Sequence, residues 1–75
     1  MYNYYLIKYK DKDGEKQTFV TKEKGSLKIE VLCNSITKQL KDFGIKYPTF
    51  AIEQIDERQF RYLRVVKGYF ATGVE

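Results

Sequence analysis

The segment from Tyr2 to Tyr9 constrains the fold more than any other part of this sequence, because aromatic and aliphatic residues fill both of its alternating positions. The two faces of such a strand would present Tyr5, Ile7 and Tyr9 on one side, and Tyr4, Leu6 and Lys8 on the other. Residues 11–14 then read Asp-Lys-Asp-Gly, in which Asp favours entry into a turn and Gly accepts a positive φ. A second strand is expected over 15–21, so the chain is predicted to begin with a β-hairpin.

A helix is predicted from Leu27 to Phe43, with Ser26 as its N-cap and Gly44 as a left-handed stop. Its apolar residues recur at spacings of three and four, which places them along one face. These residues are Ile29, Leu32, Ile36, Leu40 and Phe43. Residues 27–33 also alternate, so a strand followed by a shorter helix, capped by Asn34 or Ser35, stays open as the alternative.

A third strand is predicted at 49–55, and Pro48 requires its pairing to start after the proline or to lie at a sheet edge. The segment 56–70 fits two structures. Asp56 and Gln59 have the spacing of a capping box, which favours a helix. Such a helix would align Phe60, Leu63, Val66 and Phe70. The β-branched and aromatic content suits a strand as well, and the ending 68–75 is expected to pack along one edge of the fold.

Together these elements predict a single α+β domain spanning residues 1–75. It consists of a small antiparallel sheet, formed by the hairpin and the third strand, covered by one helix, in the order β-β-α-β with a C-terminal helix or strand. A chain of 75 residues has room for one core, and 43% hydrophobic content argues against disorder. No apolar run could span a bilayer or form a signal peptide, so we expect a cytoplasmic protein without membrane contact.

The chain contains no histidine and one cysteine, Cys33. The usual general base and the commonest metal ligand are therefore missing, and one thiol cannot form a structural zinc site. Cys33 stands among apolar residues and is expected to be a small core residue. The glycines stand apart rather than in a phosphate-binding loop. We therefore expect a protein that is not an enzyme, with no catalytic residue, no cofactor and no bound metal.

Basic residues follow one another at every third position of the segment 56–70 and include all three arginines of the chain. They are Arg58, Arg61, Arg64 and Lys67. Guanidinium groups suit phosphate better than ammonium groups do. Together with Lys8 and Lys10, and with a net charge of +4, this row predicts a small basic protein that contacts DNA or RNA. The alternative is a solvated face balanced by the neighbouring Glu and Asp residues.

Tyrosines crowd the first strand, and Tyr2, Tyr4 and Tyr9 form a second candidate surface. Exposed tyrosine rings stack on unpaired bases or pack at protein interfaces. The second functional hypothesis is therefore a protein-interaction module, either an inhibitor, an adapter or a self-associating subunit, which would use this strand as an edge or a face. The richness in lysine and tyrosine resembles that of small accessory proteins of AT-rich bacteria and their phages or mobile elements, a likeness of composition that assigns no site residue.

Overall fold

The computed structural model describes residues 1–72 and contains a four-stranded mixed sheet with one helix on each face. In chain order the elements are β1 (Tyr2–Lys10), β2 (Lys16–Lys24), α1 (Ile29–Asp42), β3 (Phe50–Ile55), α2 (Glu57–Val65) and β4 (Phe70–Thr72). The strand order is β3-β1-β2-β4, with antiparallel pairs except for the parallel pair of β2 and β4. The predicted α+β class is confirmed, and the end of the segment 68–75 lies outside the described residues.

The hairpin turn is fixed by the carboxylate of Asp11. Its Oδ1 accepts hydrogen bonds from the backbone N–H groups of Asp13 and Glu15, both at 2.9 Å, and its Oδ2 accepts one from Nε2 of Gln17 at 3.0 Å. Gly14 takes the positive φ of 81° that the turn needs. Because the turn is tight, the strands pair along their whole length, and β2 runs to Lys24 rather than ending at residue 21 as predicted.

α1 begins at Ile29 rather than at Leu27, and its N-cap is Lys28, which makes no side-chain capping bond. The chain first turns through Gly25 and Ser26, closed by a bond from Leu27 N–H to Lys24 C=O at 3.0 Å. Ser26 therefore precedes the helix instead of capping it. The strand considered for residues 27–33 does not form, whereas the predicted stop at Gly44 is confirmed by its φ of 92°.

The predicted apolar face of α1 is shorter than the sequence suggested. Leu32, Ile36 and Leu40 are buried against the sheet, whereas Ile29 and Phe43 are exposed. Ile29 is the first residue of the helix, and Phe43 is its C-cap, where the exposed ring still contacts Tyr9 of β1.

α2 confirms the helix favoured for the start of the segment 56–70. Asp56 and Gln59 form the predicted capping box, with Gln59 N–H bonded to Asp56 Oδ1 at 2.7 Å. The helix ends at Val65, earlier than the predicted segment 56–70, because Gly68 adopts a φ of 70° and turns the chain. Val66 and Phe70 are therefore exposed instead of continuing the apolar face, and Phe70 opens the unpredicted strand β4.

The two faces of the sheet pack against different helices. The larger cluster lies under α1 and comprises Ile7, Phe19, Leu32, Ile36, Leu40 and Ile45. The smaller one lies under α2 and comprises Val20, Ile55 and Phe60. The expectation of one covering helix was wrong, because the crossover from β3 to β4 lays α2 across the second face. No helix within residues 1–72 is both long enough and apolar enough to cross a membrane.

Candidate nucleic-acid interface

Three lysines occupy the part of the sheet that α2 leaves uncovered. Lys8, Lys10 and Lys16 share the α2 face, and we call them the lysine patch. Lys10 lies directly opposite Lys16, while Lys8 has Thr18 on one side and Ala51 on the other. Since both neighbours of Lys8 are small, the sheet surface forms a shallow depression of about 520 Å³ that all three lysines line.

No carboxylate neutralises the lysine patch within residues 1–72. The one ion pair in that part of the chain joins Glu57 to Arg61, with 3.0 Å between Oε1 and the guanidinium. Asp11, which follows Lys10 in the chain, is engaged by the hairpin turn. Its hydrogen bond from Gln17, and then the one from the Glu15 backbone, hold the pKa of the Asp11 carboxyl below its ordinary value. The lysine patch therefore presents uncompensated positive charge to solvent.

The arginine row does not form one face. A spacing of three residues advances by 300° on a helix of 3.6 residues per turn, so successive members rotate by about 60°. Arg58 faces outward beside Tyr62 and the exposed valines at the end of α2. Arg64 lies near the sheet, in a small depression that Lys22 also lines. Lys67 follows the helix, in the turn before β4.

The three candidate tyrosines lie in separate places. Tyr2 is exposed, with Nζ of Lys22 4.2 Å from its ring centroid. Tyr4 is half-buried under α2, 4.9 Å from the ring of Phe60. Tyr9 is half-buried on the opposite face. Since β1 pairs with β2 along its length and with β3 from Tyr4 to Tyr9, this stretch of β1 offers no free edge to a partner strand.

The hydroxyl of Tyr9 stays protonated at neutral pH and can act as a hydrogen-bond donor. Burial raises its pKa above the ordinary value of 10.0, and the nearby Asp11 carboxylate raises it further. The side chain of Tyr9 projects towards the α1 face, whereas Lys8, Lys10 and Lys16 lie on the α2 face, so the sheet separates this donor from the lysine patch.

Positive charge is concentrated on the α2 side of the sheet. The basic residues on this side or in its helix are Lys8, Lys10, Lys16, Lys22, Lys24, Arg58, Arg61, Arg64 and Lys67. The acidic residues there are Glu53, Asp56 and Glu57. The excess on this one side is larger than the net charge of +4 of the whole chain. An anionic polymer approaching the protein would therefore be drawn to the α2 side.

Sequence reasoning identified Lys8 and Lys10 but missed Lys16. The signal was present, because the Asp-Lys-Asp-Gly turn sets the hairpin register and so places Lys16 opposite Lys10.

No protein-family model, curated protein or solved structure matches this chain.

Proposed function

We propose that this protein binds nucleic acid through the α2 side of its sheet, with the lysine patch as the principal contact to phosphate. The observation that supports the proposal most is the direct pairing of Lys10 with Lys16, with neither lysine in an ion pair within residues 1–72. Like charges opposite each other destabilise a sheet. A bound phosphate would relieve that repulsion and accept hydrogen bonds from both ammonium groups.

The arginines have a supporting role in this proposal. Arg61 is already paired with Glu57, while Arg58 and Arg64 point in different directions from α2. They extend the positive electrostatic potential around the lysine patch rather than binding one phosphate together. Sequence-independent binding to a backbone is the mode that suits such a scattered set of cations.

The test is the salt dependence of binding to short labelled DNA and RNA, measured by fluorescence anisotropy between about 50 and 200 mM salt. In one variant Lys8, Lys10 and Lys16 are each changed to Gln. In the matched control, Lys38, Lys41 and Lys46 on or next to α1 are changed to Gln, which removes the same charge from the other side.

We expect affinity for wild-type protein to fall steeply with salt, because binding releases counterions from the phosphates. The lysine-patch variant should bind more weakly and its salt slope on single strands should be shallower by about two, since each lost phosphate contact removes ~0.7. The control variant should keep most of the salt dependence of the wild-type affinity. Absence of binding at low salt, or equal losses in the two variants, would overturn the proposal.

A protein-interaction role is the second candidate function, and the outer surface of α2 favours it. Tyr62, Val65 and Val66 are exposed there and line a shallow groove of about 760 Å³ with Arg58 and Arg61. Exposed apolar residues clustered on one helix are typical of contact surfaces. Analytical ultracentrifugation tests for self-association through this surface. Association that increases with protein concentration and is abolished by Val65→Ser would support the role, whereas a protein that stays monomeric at all concentrations would exclude self-association.

A further inference from the structure

A second depression adjoins the lysine patch and is lined by five aromatic residues: Tyr9, Phe19, Phe43, Tyr69 and Phe70. We call it the aromatic cleft. It lies along the outer edge of β2, where residues 16–18 pair with β1 on one side and, within residues 1–72, have no strand on the other, because β4 pairs only from Phe19 onward. Its volume of about 620 Å³ is within the ~300–1,000 Å³ of typical small-ligand sites.

The rings of the aromatic cleft are held in place from behind by buried Phe19. The centroid of Phe19 is 5.8 Å from that of Tyr9 and 6.4 Å from that of Phe70, both in edge-to-face contact. Phe43 contacts Tyr9 at 6.5 Å. Phe43 and Phe70 remain 45% and 59% exposed. Both rings are therefore oriented by packing while much of their surface faces solvent, which lowers the entropic cost of binding a flat ligand.

The aromatic cleft and the lysine patch meet at the outer edge of β2, because Tyr9, Phe43 and Phe70 lie on the α1 side of the sheet and the lysine patch lies on the α2 side. Both depressions are lined by Lys16, Gln17 and Thr18. Lys67 precedes Gly68, which also lines the cleft. Lys16 lines both depressions, so it is placed to meet a phosphate of a chain whose bases enter the cleft. This combination of open rings and adjacent positive charge is characteristic of proteins that bind single-stranded nucleic acid.

We infer that the aromatic cleft binds unpaired bases, so that the ligand of this protein is single-stranded DNA or RNA. Bases would stack on Phe43 and Phe70 while the phosphates lie towards Lys16 and the lysine patch. A duplex keeps its bases stacked on one another and offers only edges and backbone to the protein. The inference rests on the proposed function and adds to it the class of nucleic acid that is bound.

The test compares an oligonucleotide in single-stranded form with the same sequence in a duplex, by fluorescence anisotropy at constant salt. Phe43→Leu and Phe70→Leu keep apolar bulk but remove the ring. The control is Tyr47→Leu, which removes an exposed aromatic ring outside the cleft. Circular dichroism and thermal melting of each variant verify that the fold is retained, which is expected because neither phenylalanine is buried.

We expect wild-type protein to prefer the single strand, and each cleft variant to lose about fivefold in affinity for it, the lower end of what one stacked base contributes. Duplex binding should change little, and Tyr47→Leu should bind as wild type does. Quenching of tyrosine fluorescence by the single strand but not by the duplex would agree with stacking in the cleft.

Equal binding of single strand and duplex, unaffected by either phenylalanine variant, would overturn this inference while leaving the proposed function standing. Absence of binding to both forms at low salt would overturn the proposed function as well. If an acidic peptide instead competes for the cleft and its binding depends on Phe70, the occupant is a protein segment and the inference is wrong.

Discussion

The two faces of the sheet are formed by alternate residues of the same strands, but one face is closed by a core and the other is partly open to solvent. Under α1 the alternate residues of β1 and β2 close a continuous core in which Ile7 and Leu40 are 0% exposed. Under α2 the apolar cluster is small, and along β1 the same face passes from Leu6 to Lys8 and Lys10. The comparison separates stability, which depends mainly on the closed core under α1, from binding, which we propose for the α2 face and the adjoining edge of β2.

The difference starts with the lengths of the covering elements. α1 has 14 residues and presents three buried residues to the sheet, whereas α2 has nine and buries only Phe60 completely. Because α2 must also return the chain to β4, it crosses the sheet near Tyr4 and Val20 and leaves the hairpin end open. At this open end the side chains of Lys8, Lys10 and Lys16 stay in solvent, so their charges need not be buried.

The largest expected effect compares one leucine from each face. Leu40→Ala should lower the free energy of unfolding by about 3 kcal/mol, since it opens a cavity in the closed core. Leu63→Ala removes the same atoms from the half-buried α2 cluster and should cost clearly less. Urea unfolding monitored by circular dichroism measures both. Equal losses would break the comparison, because the α2 face would then contribute as much stability as the α1 face.

The next effect concerns how the helices start. Asp56→Ala removes the side chain that accepts from Gln59 N–H and should lower the free energy of unfolding by about 1 kcal/mol. Ser26→Ala is the matched control at the other helix, and it should be nearly neutral because Ser26 does not cap α1. A loss at Ser26 similar to that at Asp56 would show that the turn before α1 acts as a cap in solution.

These capping sites also show which parts of the fold a sequence can predict. The hairpin and the start of α2 depend on contacts within a few residues, such as Asp11 with Glu15 and Asp56 with Gln59. Both were predicted. β4 depends on a partner far away in the chain, since Phe70 pairs with Phe19. Three residues have too little local pattern to indicate a strand, so β4 and the second helical layer were missed together.

The candidate site was predictable to a similar extent. Lys8 and Lys10 follow from alternation in β1, and Lys16 follows once the turn is known. That this end of the sheet stays uncovered depends on where α2 stops, which Gly68 decides through its positive φ. The arginine row is spread around α2, because a spacing of three residues rotates each successive side chain by about 60° about the helix axis.

Acid should weaken the hairpin end of the sheet more than the rest. The folded-state pKa of Asp11 is lowered chiefly by its hydrogen bond from Gln17, so the ionised carboxylate contributes stability above its ordinary pKa of 3.8 that is lost as pH falls through the folded-state value. Thermal midpoints measured from pH 7 downward should therefore decline below about pH 4. Asp11→Asn should flatten the decline, whereas Asp13→Asn, which leaves the turn bonds intact, should not. Identical profiles for wild type and Asp11→Asn would contradict this assignment.

The smallest effect is the most direct probe of the open face. Lys16→Gln removes the repulsion with Lys10 and should raise the free energy of unfolding by about 0.3 kcal/mol, or the thermal midpoint by roughly 1–2 °C. Lys22→Gln, on the same strand and the same face, instead removes the contact with the Tyr2 ring and should give no gain.

Salt sharpens the distinction between these two lysines. Screening should erase the advantage of Lys16→Gln, because it weakens the like-charge repulsion already present in the wild-type protein. If Lys16→Gln gains stability at low salt and also loses affinity for nucleic acid, then the chain retains a destabilising charge where binding requires one. If it loses stability instead, Lys16 makes a structural contribution, and the proposed division between a stabilising and a binding face fails at the residue that joins the lysine patch to the aromatic cleft.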